Sequence, residues 1–102
     1  MAAKPALHVL FATAELAPLA RVGGLAEASS GLVRQLRADG AVAVEVALPD
    51  YSGATLTGEQ VSELPVPDWA GGVARVRRGV HAAFGPVTLI ATAGTARPNP
   101  YI

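Results

Sequence analysis

The feature that most constrains this chain is a change of hydrophobic period within its first half. "LHVLFAT", Leu7 to Thr13, is apolar at nearly every position, as befits a strand covered on both faces of a parallel sheet. From Leu25 the spacing changes. Leu25, Ala28, Leu32 and Leu36 recur at steps of three, four and four and so share one helical face, with Glu27, Ser30, Arg34 and Arg37 mostly off it. The pattern predicts a helix over Leu25 to Ala38, with Gly40 as its C-terminal cap. Gly31 inside it costs about 1 kcal/mol relative to alanine, and the reading assigns it to close packing on the sheet. "AVAVEVALPD" then forms a second strand, ended by Pro49 and Asp50. Strand, loop, helix and strand make a βαβ unit, whose crossover is right-handed and whose strands run parallel.

Further along, "DYSGATLTGEQ" reads as loop. Val61 to Val66, Val73 to Ala83 and Val87 to Thr92 read as strands, separated by the turns "PDWAGG" and "FGP". "VARVRRGVHAA" alternates apolar and polar until Arg77 and Arg78 shift the register, which predicts an exposed antiparallel hairpin strand. The closing "AGTARPNPYI" reads as loop. The fold class expected is therefore α/β, a Rossmann-like βαβ start with a mainly parallel sheet and a peripheral β-hairpin. A doubly wound sheet carries helices on both faces, and only one good helix is visible. One face is expected to lack a cover, so that the chain is a fragment or pairs with something else.

At 102 residues the chain is one domain or part of one. Eight Lys and Arg balance eight Asp and Glu, so no basic field points to nucleic acid or to an anionic membrane, and any anion site must be local. The absence of cysteine excludes disulfides and thiolate chemistry and favours the cytoplasm. The N-terminal apolar run meets Glu15 too early for a membrane span and reads as a first strand, not a signal peptide.

Ligands of open α/β sheets bind beyond the carboxyl ends of the strands, which directs attention to "AELAPLARVGGLAEAS", the first strand-to-helix loop. Gly23 and Gly24 permit positive dihedrals and close approach of a ligand to the main chain. The first amides of the helix lack intrahelical partners and sit at its positive end. Arg21, just before them, adds a full charge and a forked donor suited to phosphate. The competing reading is a tight turn beside a solvated arginine. The adjacent glycines do not form a G-x-G-x-x-G fingerprint. Elsewhere, His8 reads as a satisfied strand histidine and His81 lies in the hairpin; neither makes a triad or a metal site. Arg75, Arg77 and Arg78 read as a solvated basic patch, and Trp69 either stacks on a sugar or plugs a small core.

The run from "HVLFATAELAPLARVGGLAEASSGLVRQLRADG" to "VEVALPDYSG" resembles the N-terminus of bacterial glycogen synthases and plant starch synthases. That family begins with a strand, an "SE-x-x-P-x-x-K-T-G-G-L-[AG]-D-V" segment, a helix and a strand ending in "P-x-Y". The resemblance is close from Leu7 to about Gly53 and fainter through "GPVTLIATAGTARPNPY". It implies a retaining glucosyltransferase of the GT-B fold, with two Rossmann-like domains facing a cleft, that transfers glucose from ADP-glucose to the non-reducing end of an α-1,4-glucan. Residues 1–102 would form part of the N-terminal domain, with the C-terminal domain absent. On this resemblance Arg21 stands at the family's lysine, Gly23 and Gly24 at its glycines and Glu27 at its aspartate, all toward ADP-glucose. Glu15 and Tyr51 fall near the donor or acceptor sugar. No confident catalytic residue, cofactor or metal is implied for this stretch.

The loop also departs from the family. Arg21 replaces a lysine, Val22 a threonine, Glu27 an aspartate, and Ala14 the serine before the glutamate. A guanidinium is wider than an ammonium, and valine lacks a hydroxyl. With the second domain missing, the isolated chain is expected to be inactive. The alternative reading is a non-catalytic module derived from the family, binding sugar nucleotide or glucan or docking a partner on the open sheet face.

Overall fold

The computed structural model describes residues 6–51 and 53–95. The elements in chain order are strand β1 (Leu7–Ala12), helix α1 (Gly24–Ala38), and strands β2 (Val42–Pro49), β3 (Thr57–Pro65), β4 (Val73–His81) and β5 (Gly85–Ala91), with a short 3-10 turn at Asp68–Ala70. They form one mixed sheet in the order β1-β2-β5-β4-β3. β1 runs parallel to β2 and β2 parallel to β5, so the expected βαβ unit is present. β4 pairs antiparallel with both β5 and β3, which makes the hairpin peripheral. Strand β3 starts earlier than the sequence suggested and carries the register slip, between Thr57 and Gln60. No helix among the described residues is long and apolar enough to cross a membrane.

The core lies between α1 and one face of the sheet, where Val33 meets Val46, Leu48, Val87 and Leu89. The helix presents a different face from the one its leucines suggested. Ala26, Ser29, Ser30 and Val33 are buried, whereas Leu25, Ala28 and Leu32 are exposed and Leu36 is half-buried. Small residues let the helix axis approach the sheet closely, and the leucines are left on its outer side. Gly31 is exposed with nothing within 4 Å of a Cβ built there, so it does not serve close packing. The helix ends at Asp39 in extended backbone; Asp39 N–H donates to the Leu36 carbonyl, and Gly40 takes no left-handed cap. At that end Arg37 donates to the Pro86 carbonyl at 2.7 Å and lies over the Phe84 ring, tying α1 to the β4–β5 turn.

Three further expectations are corrected. Strand β1 is not covered on both faces but lies at the sheet edge, with Leu7 and Leu10 56% and 68% exposed. Strand β4 is interior, with Ala74, Val76 and Arg77 buried. Trp69 is 88% exposed on the 3-10 turn, so it plugs no core. The opposite face of the sheet, carrying Leu10, Glu45, Ala47, Val76 and Ile90, has no helix over it among the described residues. The closing loop lies partly outside the described residues, from residue 96 onward.

Candidate functional site

Strands β1, β2 and β5 are parallel, so their carboxyl ends meet on one rim of the sheet. A groove of about 500 Å³ opens there. Its floor is Ala12, Ala47, Pro49 and Ile90, and the hydroxyl-bearing Thr13, Thr92 and Thr95 edge it. The walls follow from the backbone: Thr13 N–H continues the ladder to the Ala47 carbonyl at 3.0 Å, and Asp50 N–H donates to the Ile90 carbonyl at 2.8 Å. None of the threonines was singled out by the sequence. Their only signal is position, each lying at or just past the end of a parallel strand.

The loop from Thr13 to Gly23 stands beside this rim. Thr13 Oγ1 donates to the Glu15 carbonyl at 2.9 Å and meets Ser29 Oγ at 3.3 Å, joining the loop start to the buried face of α1. Leu16 and Ala20 exchange two backbone hydrogen bonds of 2.9 Å around a turn that contains a cis peptide bond between Ala17 and Pro18. Glu15, 2% exposed, turns its carboxylate under the loop. Its Oε1 accepts from the Val22 N–H at 2.9 Å and the Gly23 N–H at 3.1 Å. A buried carboxylate is costly unless it is hydrogen-bonded, and these amides satisfy it. The same bonds hold the last turn before α1 in one shape.

Above this support the four residues assigned to the nucleotide come together. Gly23 is the N-cap of α1 and has no side chain with which to cap the first turn, and the N-cap N–H itself is already taken by the buried Glu15 carboxylate. Neither Gly23 nor Gly24 has positive φ, so the pair is not required by a left-handed turn. Nothing lies within 4 Å of a Cβ built at either, as is also true at Gly31, Gly40, Gly53 and Gly58, so neighbouring atoms do not demand glycine at either position. Arg21 Nη2 pairs with Glu27 Oε1 at 2.9 Å, across side chains that are 65% and 57% exposed. The cation and the carboxylate therefore flank the helix start as one exposed pair. Tyr51 reaches the loop from the end of β2, its hydroxyl donating to the Ala14 carbonyl at 3.1 Å. Glu15 and Tyr51 both brace the main chain of the loop, Glu15 from beneath and Tyr51 from the side.

A second polar cluster stands behind the groove and corrects the reading of a solvated arginine patch. Arg77 is buried, and its guanidinium donates from Nε to Asp50 Oδ2 at 2.9 Å, and from Nη1 to the Ala54 carbonyl at 2.9 Å and Glu59 Oε1 at 3.1 Å. Nη2 lies 2.9 Å from Asp50 Oδ2. Burial alone would lower the Arg77 pKa, but the hydrogen bonds and charges of Asp50 and Glu59 outweigh it and hold the group above its ordinary value. Arg77 thus joins the hairpin to the segment after β2, next to Tyr51. Arg78 pairs instead with Glu45 on the open face. His8 is exposed on β1, and His81 Nδ1 accepts from the Ala83 N–H at 3.1 Å. Among the described residues no group of His, Asp and Glu is arranged to hold a metal ion.

The family model of the starch synthase catalytic domain matches residues 8–101. A glycogen synthase of Acidiphilium cryptum (strain JF-5) is 34% identical over 98 residues, which cover 94% of this chain and 20% of that protein. A glycogen synthase of Protochlamydia amoebophila (strain UWE25) is 40% identical over 60 residues, 59% of this chain and 11% of that protein. The chain spans a fifth or less of the length of these curated relatives.

Proposed function

The chain belongs to the starch synthase catalytic domain family, and from that premise we propose that it supplies part of the N-terminal domain of an enzyme that transfers glucose from ADP-glucose to an α-1,4-glucan. In this reading residues 1–102 hold one wall of the donor site, and a C-terminal domain completes the cleft. The observation that carries it is the glycine start of α1, held in shape by Glu15 from beneath, with its outer side open over Gly23 and Gly24 and the exposed Arg21 beside them. A diphosphate set there gains the helix amides and dipole as well as a guanidinium, and no Cβ obstructs it. Glu27 is then the residue that holds Arg21 until the anion arrives, and Glu15 keeps the loop in shape from below. The lack of cysteine fits a cytoplasmic setting.

The second reading is a non-catalytic module that binds sugar nucleotide or glucan. The pairing of Arg21 with Glu27 favours it, because the one cation at the loop is already neutralised. Stabilising a departing diphosphate requires several preorganised donors around the charge. The test is calorimetric titration of the chain with ADP-glucose, ADP and glycogen, alongside Arg21→Ala. Heat with ADP-glucose and ADP that Arg21→Ala removes supports the donor wall. Binding of glycogen alone, unchanged in Arg21→Ala, overturns it in favour of the glucan module.

A further inference from the structure

The hairpin strand β4 is connected to the loop before α1 by a chain of polar contacts. Arg77, in the interior of β4, turns its guanidinium onto the segment that follows β2: Nε and Nη2 both lie 2.9 Å from Asp50 Oδ2, and Nη1 donates to the Ala54 carbonyl at 2.9 Å. The other carboxylate oxygen, Asp50 Oδ1, accepts the Gly53 N–H at 3.0 Å, and the Asp50 N–H donates to the Ile90 carbonyl at 2.8 Å. Asp50 is thus fixed by β5 through its backbone and by β4 through its side chain. Gly79 makes room for the same segment. A Cβ there would stand 2.9 Å from the Leu56 Cβ and 3.0 Å from the Thr57 carbonyl oxygen, so its absence lets the buried Leu56 pack directly on β4. Tyr51, next to Asp50, then carries the contact onward, its hydroxyl donating to the Ala14 carbonyl at 3.1 Å.

We infer that Arg77 is a positioning residue for the loop from Ala14 to Gly23, acting through Asp50 and Tyr51; the inference rests on the reading of that loop as one wall of the donor site. A solvent-exposed hydroxyl holds a loop only when the residue that carries it is already held, because ordering a free segment costs as much as one hydrogen bond gives. A buried arginine with acceptors on Asp50, Ala54 and Glu59 supplies that prior order. The two carboxylates neutralise its charge, so Arg77 acts on the place of the loop and not on the anion. Glu15 fixes the shape of the loop from within, through Val22 and Gly23, whereas Arg77 and Tyr51 fix where its first residue stands relative to the ends of β2 and β5.

Hydrogen exchange of the full chain, read amide by amide, together with calorimetric titration by ADP-glucose, tests this. Tyr51→Phe removes one exposed hydroxyl and should speed exchange of the Leu16, Ala20, Val22 and Gly23 amides about two- to tenfold, leaving the amides of β2 and β5 unchanged. Affinity for ADP-glucose should fall by a similar factor. Arg77→Lys keeps the charge but loses the fork that reaches Asp50 and Ala54 together, and should open the same loop amides more than those of β2 and β5. Adding Tyr51→Phe to Arg77→Lys should change the loop little further, since both act through one bond. Exchange that speeds equally across the sheet and the loop in Arg77→Lys makes Arg77 a support of the fold alone and overturns the inference. So do additive effects in the double variant, a loop unchanged in Tyr51→Phe, or a loosened loop that keeps the parent's affinity. Selective, non-additive loosening in a chain whose parent binds no ADP-glucose sinks the donor-wall reading and supports the positioning by Arg77.

Discussion

The carboxylate of Glu15 accepts the backbone N–H of Gly23 at 3.1 Å, and the N–H of Val22 at 2.9 Å, from beneath the loop that leads into α1. The residues that line the upper side of that loop are exposed, whereas their support is buried. On the proposed donor-wall reading, ligand contact falls to Arg21 and the helix start, while Glu15 holds the shape of the loop.

Replacing Glu15 should therefore act on stability first. Glu15→Ala leaves two amides without their acceptor and should cost about 1–3 kcal/mol in urea denaturation. Glu15→Gln keeps one carbonyl acceptor and should cost less.

Arg21 and Glu27 should behave in the opposite way. Their pair is mostly solvent-exposed, so Arg21→Ala, Glu27→Gln and the double variant should each unfold within about 0.5 kcal/mol of the parent. Glu27→Gln frees Arg21 and should tighten ADP-glucose binding, measured by calorimetry, while Arg21→Ala weakens it. An unchanged affinity in both variants would place the anion elsewhere.

Arg77 holds the mostly buried Asp50 and the partly exposed Glu59 together. Arg77→Met leaves the mostly buried Asp50 without its counter-charge and should cost about 2–3 kcal/mol, with Glu59 adding little because it is partly in solvent. The raised pKa means that Arg77 is charged in both folded and unfolded chains at neutral pH. Its stabilisation is fully present below the ordinary arginine pKa and is lost only as pH rises through the higher folded value. Thermal melts from mildly acid to mildly alkaline buffer should show no slope due to this residue.

The orientation of α1 predicts contrasting effects at adjacent positions. Val33→Ala removes buried methyl groups from the core and should cost roughly 1–3 kcal/mol, whereas Leu32→Gln, on the outer face, should change stability by under about 0.5 kcal/mol. Equal losses at both positions, read from chemical denaturation, would contradict the packing described.

The change of period after Leu7–Thr13 was enough to place a strand, a helix and a parallel strand in order, because alternation and 3.6-residue spacing are local properties of the chain. The same locality put Arg21, Gly23, Gly24 and Glu27 together at one helix start, and the long ordered pattern around them carried the family. What sequence could not supply was the set of neighbours. The leucines of α1 mark an apolar face but not which face meets the sheet; the small residues Ala26, Ser29 and Ser30 pack closer, and Val33 fills the contact. Arg77 reads as solvated from sequence because its partners are distant: Glu59 meets it when β3 pairs with β4, and Asp50 when β2 and β4 flank β5. An apolar strand reads as interior from composition alone; only the tertiary structure puts β1 at an edge of the described sheet and folds the loop back so that Glu15 lies beneath Val22 and Gly23.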